Sequence, residues 1–177
     1  MQKKAGITWG AILVAMGLIF LLSNFVPQAW PMLIISLGVA LLAAALINRW
    51  GGLAITGMLL FTLGFMLQYQ AASGYWQSWL FIWPLPTAAL GAALVLANWL
   101  GTGGKKTRRS GWAWLLSGLL LAAISYRWFS AAGQTYSWAL IIVGLGVQFL
   151  LVALFSRVGG LAIPGTILAM VGALLYW

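Results

Sequence analysis

The chain of 177 residues has no Asp, no Glu, no His and no Cys. Each absence removes a class of chemistry. Paired carboxylates for general acid/base work cannot be assembled, and neither can imidazole, carboxylate or thiolate metal sites. Activated thiols and disulfides are excluded with them. Lys, Arg, Tyr, Ser and Thr are the only reactive side chains left, so no enzyme activity and no cofactor or metal is expected. A second consequence is electrostatic: the nine cations have no carboxylate side chain to meet within the chain, and the formal net charge is +9. Lack of cysteine does not identify a compartment, because a chain embedded in a bilayer has no need of thiols.

What is present is apolar. Hydrophobic residues make up 64% of the chain and charged residues 5%, with a mean hydropathy of +1.05. Soluble domains carry about a quarter of their residues as charges. A membrane-crossing helix needs roughly 20 mostly apolar residues. Seven such runs are expected: Ile7 to Asn24, Trp30 to Asn48, Gly52 to Gln70, Trp83 to Leu100, Gly111 to Tyr126, Trp138 to Ser156 and Gly160 to Trp177. The fold class is therefore an all-α membrane protein of seven transmembrane helices. The Met1-Gln2-Lys3-Lys4 start lacks a small-residue cleavage site after its apolar run, so it begins the first span and is not a cleaved leader.

Seven spans sort the nine cations eight to one. Lys3, Lys4, Arg49, Lys105, Lys106, Arg108, Arg109 and Arg157 fall on one side and Arg127 on the other. Cytoplasmic loops carry the excess of Lys and Arg, which predicts the N-terminus inside and Trp177 outside. Tryptophans follow the same division. Trp30, Trp76, Trp79, Trp83, Trp128, Trp138 and Trp177 are expected at the outer boundary, and Trp9, Trp50, Trp99, Trp112 and Trp114 at the inner one. Indoles anchor at headgroup depth by themselves. The uncharged outer segment from Gln68 to Trp83, with Tyr69, Tyr75, Trp76 and Trp79, is the one aromatic stretch long enough to form a docking surface.

Glycines reveal a repeat. Gly10 and Gly17, Gly57 and Gly64, Gly111 and Gly118, and Gly165 and Gly172 form pairs of equal spacing (17 − 10 = 7), one in each odd-numbered span. Even-numbered spans start at a Trp with a Gly further on: Trp30 with Gly38, Trp83 with Gly91, Trp138 with Gly146. The segment Ala45 to Ile55 returns as Ala153 to Ile163, an offset of 153 − 45 = 108. Four spans separate the equivalents, so the two copies run parallel, whereas inverted repeats are the more frequent mark of alternating access. Glycines seven apart lie on nearly one helix face and let backbones approach, which makes helix packing their expected role. The chain then divides into residues 1–100 with four helices, a basic cytoplasmic loop at 101–110, and residues 111–177 with three.

That loop, Gly101-Thr102-Gly103-Gly104-Lys105-Lys106-Thr107-Arg108-Arg109-Ser110, reads as flexible from its glycines. Lys105, Lys106, Arg108 and Arg109 hold topology and offer contacts to anionic lipid headgroups or to an acidic partner. Four cations in a membrane hairpin are too few for nucleic acid. Within the spans the polar residues are chiefly Ser36, Thr62, Thr87, Ser117 and Gln148. Gln148 is expected to hydrogen-bond between helices, since an unpaired amide in hydrocarbon is costly. No span has a central ionisable group, which argues against proton pumping and voltage sensing.

The glycine-spaced helix, the aromatic loop and the helix opening Trp30-Pro31-Met32-Leu33-Ile34-Ile35-Ser36-Leu37-Gly38 together resemble the LiaI/LiaF-like transmembrane region of bacterial membrane proteins. The resemblance covers nearly the whole chain. Trp83-Pro84 through Gly91 is the clearest second copy, while Ala139 follows Trp138 where the pattern has Pro. It implies a multi-pass, non-enzymatic protein of the bacterial cytoplasmic membrane, some relatives being linked to regulation of cell-envelope stress signalling. Relatives of the LiaF kind add a soluble C-terminal domain that this sequence lacks. By the 108-residue offset, Leu175-Tyr176-Trp177 match Leu67-Gln68-Tyr69, where the earlier copy continues, so an eighth helix is expected to have been lost, either in evolution or by truncation of the sequence. The leading functional expectation is a scaffold or interaction module contacting another membrane protein. The alternative is a channel or carrier for a small neutral or apolar solute.

Overall fold

The computed structural model describes residues 30–132 and 138–176, together with Gly10, Leu13, Val14, Gly17, Phe20 and Leu21. Among these residues all regular structure is helical. The elements are α1 (Pro31–Asn48), α2 (Gly51–Ser73), a 3-10 turn (Trp76–Ser78), α3 (Trp79–Ile82), α4 (Leu85–Trp99), α5 (Lys105–Ala132), α6 (Trp138–Ser156), a second 3-10 turn (Gly159–Leu161) and α7 (Ala162–Tyr176). Five segments are long and apolar enough to cross a membrane: Pro31–Asn48, Gly51–Ser73, Trp79–Trp99, Ala139–Ser156 and Gly159–Tyr176. In hydrocarbon every backbone N–H and C=O must be satisfied within the chain, and a helix does this locally. The spans are also apolar nearly all round, as lipid-facing helices are.

Seven spans were expected; two of them are not among the five named here, and a third starts earlier. The first span lies largely outside the described residues; the six of its residues that are described are helical. The fifth, α5, is a helix of 28 residues, longer than the expected Gly111 to Tyr126, and the cations at its two ends lower its mean hydropathy. The fourth span also starts earlier than Trp83. α3 precedes it, and the chain turns at Trp83-Pro84 before α4 begins at Leu85. Pro84 and Pro86 have no N–H to give to the preceding turn, so the helix cannot run through them unbroken.

Helices adjacent in sequence form three antiparallel hairpins, α1–α2, α4–α5 and α6–α7, which are the most closely packed pairs. One crossing recurs in all three. A Cβ added to Gly64 would lie 2.7 Å from the amide nitrogen of Ile35 on α1, and one on Gly57 would lie 3.0 Å from the Gly38 carbonyl oxygen. In the second hairpin a Cβ on Gly118 would lie 2.6 Å from the Ala88 nitrogen, and one on Gly91 would lie 2.7 Å from the Gly111 oxygen. In the third, the Gly172 position is 2.6 Å from the Val143 nitrogen and the Gly146 position 2.8 Å from the Gly165 oxygen. Backbones touch where no side chain intervenes, so dispersion is gained over the full length of each pair. Gly10 and Gly17 are different: both are exposed, with nothing within 4 Å of an added Cβ. Among the described residues no neighbour meets the packing role expected for that pair.

The hairpin turns repeat as well. Arg49 and Arg157 are the two non-glycine residues with positive φ among the described residues, at 51° and 54°. After each, the next amide reaches back into the helix: Trp50 N–H to the Ala45 oxygen at 3.1 Å and Val158 N–H to the Ala153 oxygen at 3.2 Å. This is the Schellman arrangement, which usually places glycine at the left-handed position.

Substitutions at the crossings should separate packed from unpacked glycines. Gly118→Val and Gly172→Val each push a branched side chain onto facing backbone and are expected to destabilise the protein by about 3 kcal/mol. Gly17→Val should change little. Thermal unfolding in a mild detergent, followed by Trp fluorescence, measures the difference.

Candidate functional site: a basic end and an apolar groove

Antiparallel hairpins bring all three turns of one kind to the same end of the bundle. There the α1–α2 turn places Arg49, the start of α5 places Lys105, Lys106, Arg108 and Arg109, and the α6–α7 turn places Arg157. Two contacts tie these turns together. A Cβ on Gly51, at the start of α2, would collide with the side chain of Thr102. The Arg109 Nε donates to the Phe155 carbonyl oxygen at 2.7 Å.

The segment expected as a flexible basic loop is mostly ordered by hydrogen bonds. Lys105 to Ser110 are the first turns of α5, so the four cations stand on a helix. Before it, the Thr102 hydroxyl donates to the Ala97 oxygen at 2.7 Å, and the Asn98 amide donates to the Gly104 oxygen at 3.0 Å. Only Gly101, at φ 85°, uses a conformation reserved for glycine. The sequence reading missed this because glycines suggested freedom, while Asn98 and Thr102 supply the local partners that remove it.

Arg109 has a double role in the geometry. Its Nε satisfies one of the last carbonyls of α6, which have no partner within the helix, and its charge sits at the negative end of the helix dipole. Beneath it, α5 and α6 diverge around a groove of about 510 Å³ lined by Arg109, Trp112, Ala113, Leu116, Ser117, Leu120, Leu151 and Phe155. Apart from Arg109 and the Ser117 hydroxyl the lining is hydrocarbon and one indole. Ser117 donates to the Trp114 oxygen within its own helix, so its hydroxyl proton is already committed.

At the opposite end α2 stops at Gly74, where φ is 66° and the N–H returns to the Gln70 oxygen at 2.9 Å. Tyr75 and Trp76 are exposed there, and Trp79 is half-buried on α3. Phe81 and Tyr126 meet edge to face with centroids 5.8 Å apart, which fastens α3 to α5. Of the aromatic surface expected from Gln68 to Trp83, Tyr69, Tyr75 and Trp76 are exposed and Trp79 is half-buried. Two tryptophans pack against neighbouring helices. Trp114 is buried against Phe149, edge to face at 5.2 Å, and Trp83 packs its ring against Gly144 of α6.

The interior holds few polar groups. Gln148 is wholly buried and its Nε2 donates to the Thr87 hydroxyl at 2.8 Å, linking α6 to α4 as the sequence suggested. Thr87 in turn donates to the Pro84 oxygen at 2.6 Å, a carbonyl in the turn before α4. Gln70, not singled out from the sequence, is also wholly buried, and neither its amide nitrogen nor its oxygen has a hydrogen-bond partner in the structure. Its burial follows from the position of α2 between α1 and α4, which covers the helix on two sides. Gly57 and Gly64 mark the side toward α1 and reveal nothing of the second.

No protein-family model matches the chain, no curated protein is significantly similar to it, and no solved structure matches its fold. Function has to be argued from the two ends, the groove and the polar interior.

The left-handed arginines offer a direct measurement of strain. At Arg49 and Arg157 a side chain in this conformation costs about 1–2 kcal/mol relative to glycine. Arg49→Gly should be more stable than Arg49→Ala by about 1 kcal/mol, although both remove the same charge. Comparing the two variants' unfolding midpoints in detergent checks this, and equal midpoints would contradict the assigned backbone conformation.

Proposed function

We propose that the chain is a non-enzymatic scaffold of the bacterial cytoplasmic membrane, akin to the LiaI/LiaF-like regions, that works through contacts made at its two ends. The observation that carries this reading is the one-sided charge: Arg49, Lys105, Lys106, Arg108, Arg109 and Arg157 share an end of the bundle, in a chain with no carboxylate side chain. Such a surface is neutralised by lipid phosphates, by a partner's acids or by mobile ions. In this reading the chain has seven spans built from a repeated hairpin, with the N-terminus inside and the C-terminus outside, because the basic end is the cytoplasmic one. The uncharged part of α5 from Ser110 to Tyr126 gives about 26 Å of helix, and its flanking arginines can reach the headgroups on either side. A role in cell-envelope stress signalling follows from the family likeness, with Tyr75, Trp76 and Trp79 as the outer contact for another membrane protein.

A second reading, passage of a small neutral solute, draws support from the buried, unpartnered amide of Gln70. Gln148 is half-satisfied, its Nε2 donating to Thr87 while its buried oxygen has no partner. The scaffold reading is favoured because the spans are apolar nearly all round and present no polar face to line a path. A conducting path needs polar groups that remain open to the solute.

Because the chain has no cysteine, single cysteines report topology without background. Ala72→Cys should react with a membrane-impermeant maleimide on intact cells, and Gly104→Cys only after lysis. The reverse pattern would overturn the orientation. Extraction in digitonin should then recover a stoichiometric membrane partner that is lost when Lys105, Lys106 and Arg108 are all changed to Gln. Recovery of the lone chain under several mild conditions would defeat the scaffold reading, and solute flux into reconstituted vesicles would support its rival.

A further inference from the structure

The groove between α5 and α6 combines features that bundle packing does not require. Its volume of about 510 Å³ is that of a ligand site, and its walls are almost wholly hydrocarbon. A single guanidinium stands at one end. Arg109, Leu116 and Leu120 fall on one stripe of α5, since intervals of seven and eleven residues return to nearly the same helix face. Lys105, four residues before Arg109, continues that stripe beyond the groove. From Arg109 to Leu120 the stripe runs about 16 Å along the helix axis. Half of a bilayer's hydrocarbon core is about 15 Å, so the apolar wall matches the reach of one acyl chain from the headgroup plane.

We propose that this groove binds one anionic phospholipid, its phosphate on Arg109 and one acyl chain laid along Leu116, Leu120 and Leu151. The proposal rests on the membrane reading above and makes it specific to one site. Arg109 is oriented for the task. Its Nε is held by the Phe155 carbonyl, which fixes the plane of the guanidinium. The outer edge carries four further N–H donors, and no carboxylate side chain exists in the chain to occupy them. Arginine's planar fork grips phosphate with two parallel hydrogen bonds, which a lysine cannot do. Trp112, about half exposed and lining the groove one turn below Arg109, sets an indole at headgroup depth. The bound lipid would also seal the most loosely packed of the interfaces between consecutive long helices, the one joining α5 to α6.

The charge and the groove are separable, which makes the proposal testable. The full chain is placed in nanodiscs of equimolar phosphatidylglycerol and phosphatidylcholine, released into mild detergent, and its retained lipids are identified by native mass spectrometry. The expected result is one retained phosphatidylglycerol, preferred over phosphatidylcholine by about tenfold, the size of one charge-assisted contact. Arg109→Gln should bring that preference to near parity. Arg108→Gln, which projects about 100° round the helix from Arg109, should leave it intact. Leu116→Trp fills the groove and should abolish retention of both lipids while leaving Arg109 in place, so it decides the matter if Arg109→Gln fails to fold. Soluble glycerophosphate should not displace the lipid.

Several results would overturn the site. They are unchanged preference in Arg109→Gln, an equal loss in Arg108→Gln, undiminished retention in Leu116→Trp, or displacement by glycerophosphate. An acidic peptide that displaces the lipid would likewise assign the arginine to a protein partner. Failure of the chain to enter nanodiscs at all would instead defeat the membrane reading, and is scored separately by co-migration with the disc.

Discussion

The contact on which this structure depends is the direct approach of two helix backbones at a glycine. In lipid a leucine gains nothing by leaving its surroundings for another leucine, so helices associate only where their surfaces fit more closely to each other than to acyl chains. Gly64 against Ile35, Gly118 against Ala88 and Gly172 against Val143 supply that fit in three successive hairpins. Each hairpin then needs only a short turn to close it. The joins between hairpins lack such a crossing at their centre and are held differently: Gln148 to Thr87, Trp114 on Phe149, and Trp83 seated on Gly144. The chain is thus tightly paired within hairpins and more openly packed between them, and the groove beside Arg109 lies at one of those more open joins.

A chain without carboxylates must also close its helix ends by other means. No described helix N-terminus with a resolved cap has a side-chain acceptor on it, and none has an acidic first turn. The C-termini at the basic end are better served. Arg109 reaches the last turn of α6, and Arg49 and Arg157 occupy the left-handed positions that end α1 and α6. Glycine would fit those two turns with less strain. Arginine there places a positive charge against the negative end of the helix dipole and, on the membrane reading, at the surface where basic residues fix topology. The backbone strain and the charge therefore belong to the same residue, and the cost of one accompanies the benefit of the other.

Much of this was legible in the sequence where a residue type has one physical use. Glycines at equal spacing in an apolar run have little to do but admit a neighbouring backbone, and six of the eight named from the sequence are placed at such crossings. The 108-residue offset joins Arg49 to Arg157, and both adopt the same backbone conformation. Gln148 followed from the cost of an unpaired amide. Reading failed where a residue type has several uses. Tryptophan can anchor at a boundary and can also pack between helices, and Trp114 is buried against Phe149. Lysines and arginines after a run of glycines look like loop, yet Lys105 to Ser110 extend α5 because Asn98 and Thr102 pin the glycines. Gln70 went unnoticed because burial on the second face of α2 depends on which helix lies beside it, and no spacing within α2 records that.

These limits bear on where activity can reside. The chain has no carboxylate, imidazole or thiol side chain, and its hairpins close on glycine crossings where backbones touch. At the ends and in the open joins the helices are not in backbone contact. That is where the charges, the exposed aromatics and the groove are found. Arg109 connects two of these places, since one of its nitrogens fixes the end of α6 while its outer edge faces the bilayer boundary. Whatever binds that edge also bears on how α5 and α6 meet. On the scaffold reading proposed above, a ligand that changes the spacing of two hairpins is a direct means by which the membrane would alter the surface offered to a partner.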